Sequence, residues 1–275
     1  DSTRFVMFKF RSHEADVSEA VMYGCAYETP PQRPPTRYTG PRLEPKMFKE
    51  FLGVNCYQET PTRFMKPFYY SRMYTFSAGA DDDTVNAYPN NQYNINPHGW
   101  YNNGINDYVF YADSMKQMGN KVWYCFLGVP LWLSKIKYPN DNRPVTHLGQ
   151  RMDDPKTYAR HAKMFWHMAA AYGANPVDTS LFDFKSEHVF SGRNVMNIYE
   201  NGNELDAFGG ENYCTPLEYY ALSTADYDGD EGRLGPKHGH KQADSTAELM
   251  MAGMTRFDIN RLRVLKFLCN TLRSD

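Results

Sequence analysis

Short apolar runs alternate with helical stretches along most of the chain. Phe51-Leu52-Gly53-Val54-Asn55 reads as a strand, and Phe68 to Tyr74 reads as a second. From Asp107 to Met118, the residues Tyr108, Tyr111, Ala112 and Met115 share one helical face, and Gly119-Asn120 supplies the stop. Lys121 to Leu127 (KVWYCFL) is apolar at nearly every position, as in a strand buried on both faces. Asp154, followed by Pro155, opens a helix running to about Tyr172, with Gly173 closing it. Asn194 to Tyr199 gives a fourth strand. Thr215-Pro216-Leu217-Glu218 has the spacing of a capping box and opens another helix. Glu248 to Gly253 gives a fifth strand. A final helix covers Asp258 to Leu272, with Ile259, Leu262, Leu265 and Leu268 on a shared side.

Strand and helix thus alternate about five times, which predicts parallel βαβ units and an α/β fold. No GxGxxG or GxxxxGK[ST] follows a strand, so nucleotide-binding sheets lose their main support. Units this long and rich in loops fit a (β/α)8 TIM barrel. The expectation is a partial barrel of about five β/α units over residues 47–275. A closed barrel has eight, and at about 45 residues per unit the other three need on the order of 135 residues. An open half-barrel exposes strand edges. The remainder of the barrel is therefore expected from the same longer chain or from a partner. Residues 1–46 read differently. Arg4 to Arg11 alternates in part, and Thr29 to Pro35 (TPPQRPP) cannot be helix interior, which predicts an N-terminal strand segment and a Pro-rich linker.

Charge and composition narrow the function classes. Lys and Arg number 30 against 32 Asp and Glu, so no polybasic field supports nucleic-acid binding. No apolar run reaches the ~18 residues of a membrane helix. The chain opens at Asp1 with no apolar signal segment, as in a processed or partial product. The five cysteines form no CxxC pair and have no Cys/His spacing suited to zinc, so no metal or other cofactor is expected.

Parallel barrels keep reactive groups where strands end and βα loops begin. Three such places stand out. They are Tyr199-Glu200-Asn201-Gly202-Asn203-Glu204-Leu205-Asp206 after the fourth strand, Arg72 on the second, and Gly128 to Trp132 after the third. Asn203-Glu204 at the end of a fourth strand resembles the Asn-Glu signature of glycoside hydrolase clan A, whose members are (β/α)8 barrels. The text around it is similar to a bacterial branch: FLGVN, RMY, YPNNQY, GVPLWLS, YENGNELD, YCTPLEY and STADYDG occur in order over residues 47–275. Gly202 stands where that clan often carries Trp, and Leu205 where Pro is usual.

The resemblance implies a retaining glycosidase acting on a poly- or oligosaccharide. Glu204 is its general acid/base, and the nucleophile is a second Glu on a seventh strand, for which this chain offers no candidate. Breaking a glycosidic bond needs a proton on the leaving oxygen and a carboxylate to attack the oxocarbenium-like centre. Asn203 would bond a sugar hydroxyl, and Arg72 would orient the nucleophile. Glu200, four residues before Glu204, is expected to point to the same side as a buried partner of Arg72 or a Lys. Trp132 and Trp100, in the loops after strands three and two, are candidate walls for a sugar ring, and the long Asn- and Tyr-rich segment from Thr75 to Asn106 is a candidate substrate-facing loop. Export to the extracellular space, periplasm or cell surface follows from the resemblance alone.

Other features read as ordinary surface. Asp226 to Gly232 looks like the start of a calcium loop, but Lys237 stands where a bidentate Glu is needed. His238 and His240 lack a third ligand, and Asp81-Asp82-Asp83 reads as a solvated turn. Two rival functions stay open. One is a non-catalytic carbohydrate-binding or surface protein with a degenerate barrel. The other is an unrelated (β/α) isomerase or aldolase, which would need a reactive Lys or a metal at the strand ends.

Overall fold

The structure is a computed structural model, and it describes residues 6–10, 20–24, 47–57, 60–76, 108–128, 151–183, 190–208 and 213–275. The chain divides into two compact units, Asp1–Pro45 and Lys46–Asp275. In the first, β1 (Val6–Phe10) and β2 (Ala20–Gly24) pair antiparallel, with Val6 opposite Gly24 and Phe10 opposite Ala20. β1 falls on the alternating run near the N-terminus, whereas β2 was not expected. The Pro-rich stretch lies outside the described residues.

The second unit is α/β. Its strands are β3 (Gly53–Cys56), β4 (Tyr70–Phe76), β5 (Lys121–Leu127), β6 (Ile198–Asn201) and β7 (Glu248–Met250). They form one five-stranded sheet in the order β3-β4-β5-β6-β7, and every pair is parallel. Each strand thus lies beside its predecessor in the sequence, and the order never reverses.

Helices α1 (Tyr108–Gln117), α2 (Ala159–Tyr172), α3 (Pro216–Asp228), α4 (His240–Ala243) and α5 (Ile259–Leu272) connect and follow these strands. Local chemistry fixes their ends. The Asp154 side chain accepts from the Lys156 amide at 3.0 Å, and a 3-10 turn over Pro155–Tyr158 leads into α2. Before α3, Thr215 Oγ1 accepts from the Glu218 amide while Glu218 Oε2 accepts from the Thr215 amide, so the capping box is complete. After α1, the Asn120 side-chain amide donates to the carbonyls of Met65 and Phe68, tying the turn to the start of β4.

The strands begin later than their apolar runs. Strand two starts at Tyr70 rather than Phe68, and strand four spans Ile198–Asn201 rather than Asn194–Tyr199. Val195 and Met196 are buried, but their amides donate to the Tyr172 carbonyl at the end of α2 instead of to a strand. Burial there comes from docking on the helix, so the apolar run overshoots the ladder.

The two faces of the sheet differ. Met73, Tyr124, Phe126 and Tyr199 share one core with Tyr111, Ala112 and Met115 of α1, Met164, Phe165 and Met168 of α2, and Ala243 of α4. On the other face, alternation presents Arg72, Tyr74, Trp123, Cys125 and Glu200. β5 therefore reads as continuously apolar because its second face carries Trp and Cys, not because helices cover both faces. A second core joins Tyr158 and Ala162 to Tyr219, Leu222 and Ala225 of α3 and to Leu205.

His167 lies fully buried on α2. Its Nε2 accepts from the Asp183 amide at 3.0 Å, so Nδ1 carries the proton and donates to the Lys163 carbonyl at 2.8 Å. Burial, outweighing that backbone bond, lowers its pKa to about 4. Unfolded histidine titrates near 6.5. As pH falls from about 6.5 towards 4, the unfolded chain takes up this proton first, so stability present above 6.5 is lost on acidification. Urea unfolding at pH 7 and pH 5 should show wild type losing about 2 kcal/mol more than His167→Gln between the two. Equal losses would contradict a neutral buried imidazole.

Candidate functional site

The polar face of the sheet is organised around Arg72 on β4 and Glu200 on β6. Arg72 Nε donates to Glu200 Oε2 at 2.6 Å, and Nη2 donates to Oε1 at 2.5 Å, a two-pronged ion pair. The Glu200 oxygens also accept from Trp123 Nε1 at 3.0 Å and from the Gly253 amide at 2.8 Å. Four donors thus serve a carboxylate that is 1% exposed. Burial works against the Arg72 charge, but Glu200 outweighs it and holds the guanidinium above its ordinary range. Burial, with the Glu200 charge close by, pushes the neighbouring Cys125 thiol strongly up, so it stays protonated.

Arg72 has further partners. Nη1 donates to Tyr74 Oη at 2.8 Å, and Nη2 also reaches Cys125 Sγ at 3.2 Å and Asn203 Oδ1 at 2.8 Å. With its donors so occupied, Arg72 supports Asn203 from below the site. A guanidinium only donates, so it fixes which way the Asn203 amide points. The carbonyl oxygen faces Arg72, so the Asn203 NH2 points away from the guanidinium.

Asn203 and Glu204 sit just past the C-terminal end of β6. Asn203 forms an isolated parallel bridge with Gly253, and the Glu204 amide donates to the Gly253 carbonyl at 2.7 Å. Gly253 lies so close that a Cβ there would come within 3.2 Å of both Arg72 Nη2 and Asn203 Oδ1. Glu204 has a φ of 55°, an uncommon conformation for a non-glycine residue, and its side chain is exposed. The strand has ended before Glu204. It therefore does not share a strand face with Glu200, as a continued strand would require. Glu200 is buried in the ion pair, and Glu204 stands at the surface above it.

Gly202 and Leu205 form one packed feature. Gly202 has a φ of 103°, and a Cβ there would lie 2.8 Å from Leu205 Cδ1. Leu205 fills the space that a large side chain at 202 would occupy, and it is buried in the second core. A side chain at 202 and the Leu205 side chain therefore cannot occupy this space together.

A second polar network lies behind the site, on the helix side of β6. The buried Asn201 amide donates to Asp226 Oδ2 at 3.2 Å, its oxygen accepts from Tyr219 Oη at 3.0 Å, and His161 Nδ1 meets Asp226 Oδ1 at 2.8 Å. Burial raises the Asp226 carboxyl above its ordinary value, against the pull of His161 and Asn201. Asp226 thus belongs to the last turn of α3, and no calcium loop begins there. His240 is buried and stacks on Tyr199 with ring centroids 5.3 Å apart, so it is not displayed as a ligand beside His238. No group of His, Cys, Asp and Glu among the described residues is arranged to hold a metal ion. No helix among them is long and apolar enough to cross a membrane. Trp100, Trp132, Asp81–Asp83 and nearly all of the 75–106 loop lie outside the described residues.

The sequence reading brought Arg72, Glu200, Asn203 and Glu204 forward; Arg72 and Glu200 pair on the sheet face, Asn203 joins Arg72 just past the end of β6, and Glu204 follows at the surface. It missed Trp123, Cys125, Tyr74 and Gly253. The first three share the two-residue alternation of Arg72 and Glu200, a signal hidden by the apolar character of β5. The chain matches no protein-family model and no curated protein sequence.

Arg72→Met would leave Glu200 buried and half-satisfied, with an expected loss of about 3–5 kcal/mol. Glu204→Gln touches an exposed side chain and should stay within about 0.5 kcal/mol of wild type. Urea denaturation of both variants checks this contrast. Equal effects would mean that Glu204 is part of the structural support.

Proposed function

We propose that the chain carries the proton-transfer half of a retaining glycoside hydrolase built on a (β/α)8 barrel, acting on a poly- or oligosaccharide, with Glu204 as the acid/base. The unreversed strand order supports the barrel, as do helices packed on one face and a polar cluster on the other. Three further β/α units would close it against the edges of β3 and β7. The observation that carries the chemistry is the seat of Asn203-Glu204. A side-chain amide whose oxygen is held by Arg72, so that its NH2 is turned away from the guanidinium, stands next to an exposed residue, Glu204, just past the C-terminal end of β6. The amide suits a sugar hydroxyl, and the carboxyl suits a leaving oxygen that needs a proton. Export is part of the proposal and rests on the resemblance alone.

One feature favours the second reading, a saccharide-binding barrel without turnover. Among the described residues Glu200 is the other carboxylate on this face, and its four hydrogen bonds exclude it as an attacking group. Hydrolysis by two carboxylates needs the attacking one from a further strand.

A glycan-cleavage screen of the full-length protein, with the rest of the proposed barrel present, separates the readings when wild type is compared with Glu204→Gln. For natural saccharides the variant should fall by about 10²–10⁴-fold, and for activated aryl glycosides by less than about tenfold, because a good leaving group needs no proton. Binding without cleavage would favour the non-catalytic reading. Cleavage equally fast in both proteins would remove Glu204 from the chemistry.

A further inference from the structure

The face that carries Arg72 extends away from Glu204 towards β3. Cys56, the last residue of β3, pairs with Met73, so Tyr57 continues that register opposite Tyr74. Their rings stack with centroids 5.3 Å apart and an interplanar angle of 30°. Two hydrogen bonds hold the backbone of Tyr57. Its amide donates to Thr60 Oγ1 at 3.0 Å, and its carbonyl accepts from the Thr60 amide at 2.9 Å. Tyr74 is fixed from its other side, since its hydroxyl accepts from Arg72 Nη1 and the Arg72 guanidinium lies over its ring at 4.7 Å. Tyr57 nevertheless remains 45% exposed. It is a rigid aromatic surface facing solvent on the same side of the sheet as the Asn203-Glu204 pair.

One guanidinium links the two places, because Arg72 binds Asn203 through Nη2 and Tyr74 through Nη1. We infer that Tyr57, backed by Tyr74, is a saccharide-stacking subsite that reads the length of the substrate. This inference rests on the proposed action of Glu204 on saccharides and adds where the chain of sugars runs. Flat apolar faces of sugar rings, edged with C–H groups, pack on aromatic faces, and a preordered ring loses little entropy on binding. From β6 to β3 are three strand spacings, about 14 Å at about 4.8 Å each, or about two to three linked sugar rings. A disaccharide or an aryl monosaccharide at Glu204 falls short of Tyr57, whereas a hexasaccharide reaches it. The substrate class is therefore an oligo- or polysaccharide bound over several units, crossing the sheet from β6 towards β3.

The test uses the full chain carrying Glu204→Gln, so that ligand survives, titrated by calorimetry with oligomers of two and of six sugars. The probes are glucan, xylan, mannan, galactan and chitin oligomers. Tyr57→Ala, Tyr57→Trp and the unmodified tyrosine are compared in that background, with thermal unfolding confirming that each is folded. The expected result is a hexamer bound more tightly than its dimer, with Tyr57→Ala weakening the hexamer at least about fivefold. Dimer binding should not change, and Tyr57→Trp should keep the hexamer affinity. A hexamer bound equally well by Tyr57→Ala overturns the subsite and leaves the role of Glu204 standing. Failure of every oligomer to bind overturns the subsite together with the saccharide reading.

Discussion

The pairing of Arg72 with Glu200 is the constraint on which the polar end of this protein depends. Two charges, one on β4 and one on β6, meet across the intervening β5, with Glu200 almost wholly out of water. Such a pair adds little net stability, because desolvation offsets much of the attraction. Its importance is geometric. The guanidinium has fixed directions, and besides Glu200 it reaches Asn203, Tyr74 and Cys125. The orientation of the Asn203 amide, the level of the Gly253 backbone and the packing of Tyr74 follow from that one planar group.

The division of labour across the sheet makes this possible. One face is sealed by α1 and α2 with large apolar side chains, which leaves the other face free for polar and aromatic groups. β6 uses both faces within a few residues. Tyr199 enters the helix-side core, Glu200 joins Arg72, Asn201 anchors to Asp226 and Tyr219 on α3, and the chain then turns at Gly202 to present Asn203 and Glu204. The Glu200 carboxylate, the Asn201 side chain and the Asn203 side-chain oxygen, which hold this turn, are paired within the protein. Glu204, by contrast, is exposed.

Much of the architecture was legible in the sequence because it rests on local rules. The capping box at Thr215, the Asp154 cap and the helical spacing of Tyr111, Ala112 and Met115 each need only nearby residues. Strand limits were less legible, since Val195 and Met196 are apolar for a helix contact rather than a ladder. The candidate site was legible as a set of residue types but not as a geometry. Nothing local says that Glu204 takes a left-handed conformation, that Leu205 closes over Gly202, or that Trp123 donates to Glu200 across 77 positions. Those facts arise from strand register, which is a long-range property. Tyr57 escaped notice for the same reason, since its meaning comes from lying opposite Tyr74.

The central claim is that Glu204 delivers a proton to a glycosidic oxygen while Asn203, held by Arg72, binds the same sugar. A crystal structure of the E204Q protein with a bound oligosaccharide measures this directly. The account predicts the side chain at 204 within about 2.6–3.2 Å of a glycosidic oxygen, with the Asn203 NH2 donating to a hydroxyl of the adjoining ring. A saccharide bound away from this end of the sheet, or an Asn203 amide turned so that its oxygen leaves Arg72, would contradict it.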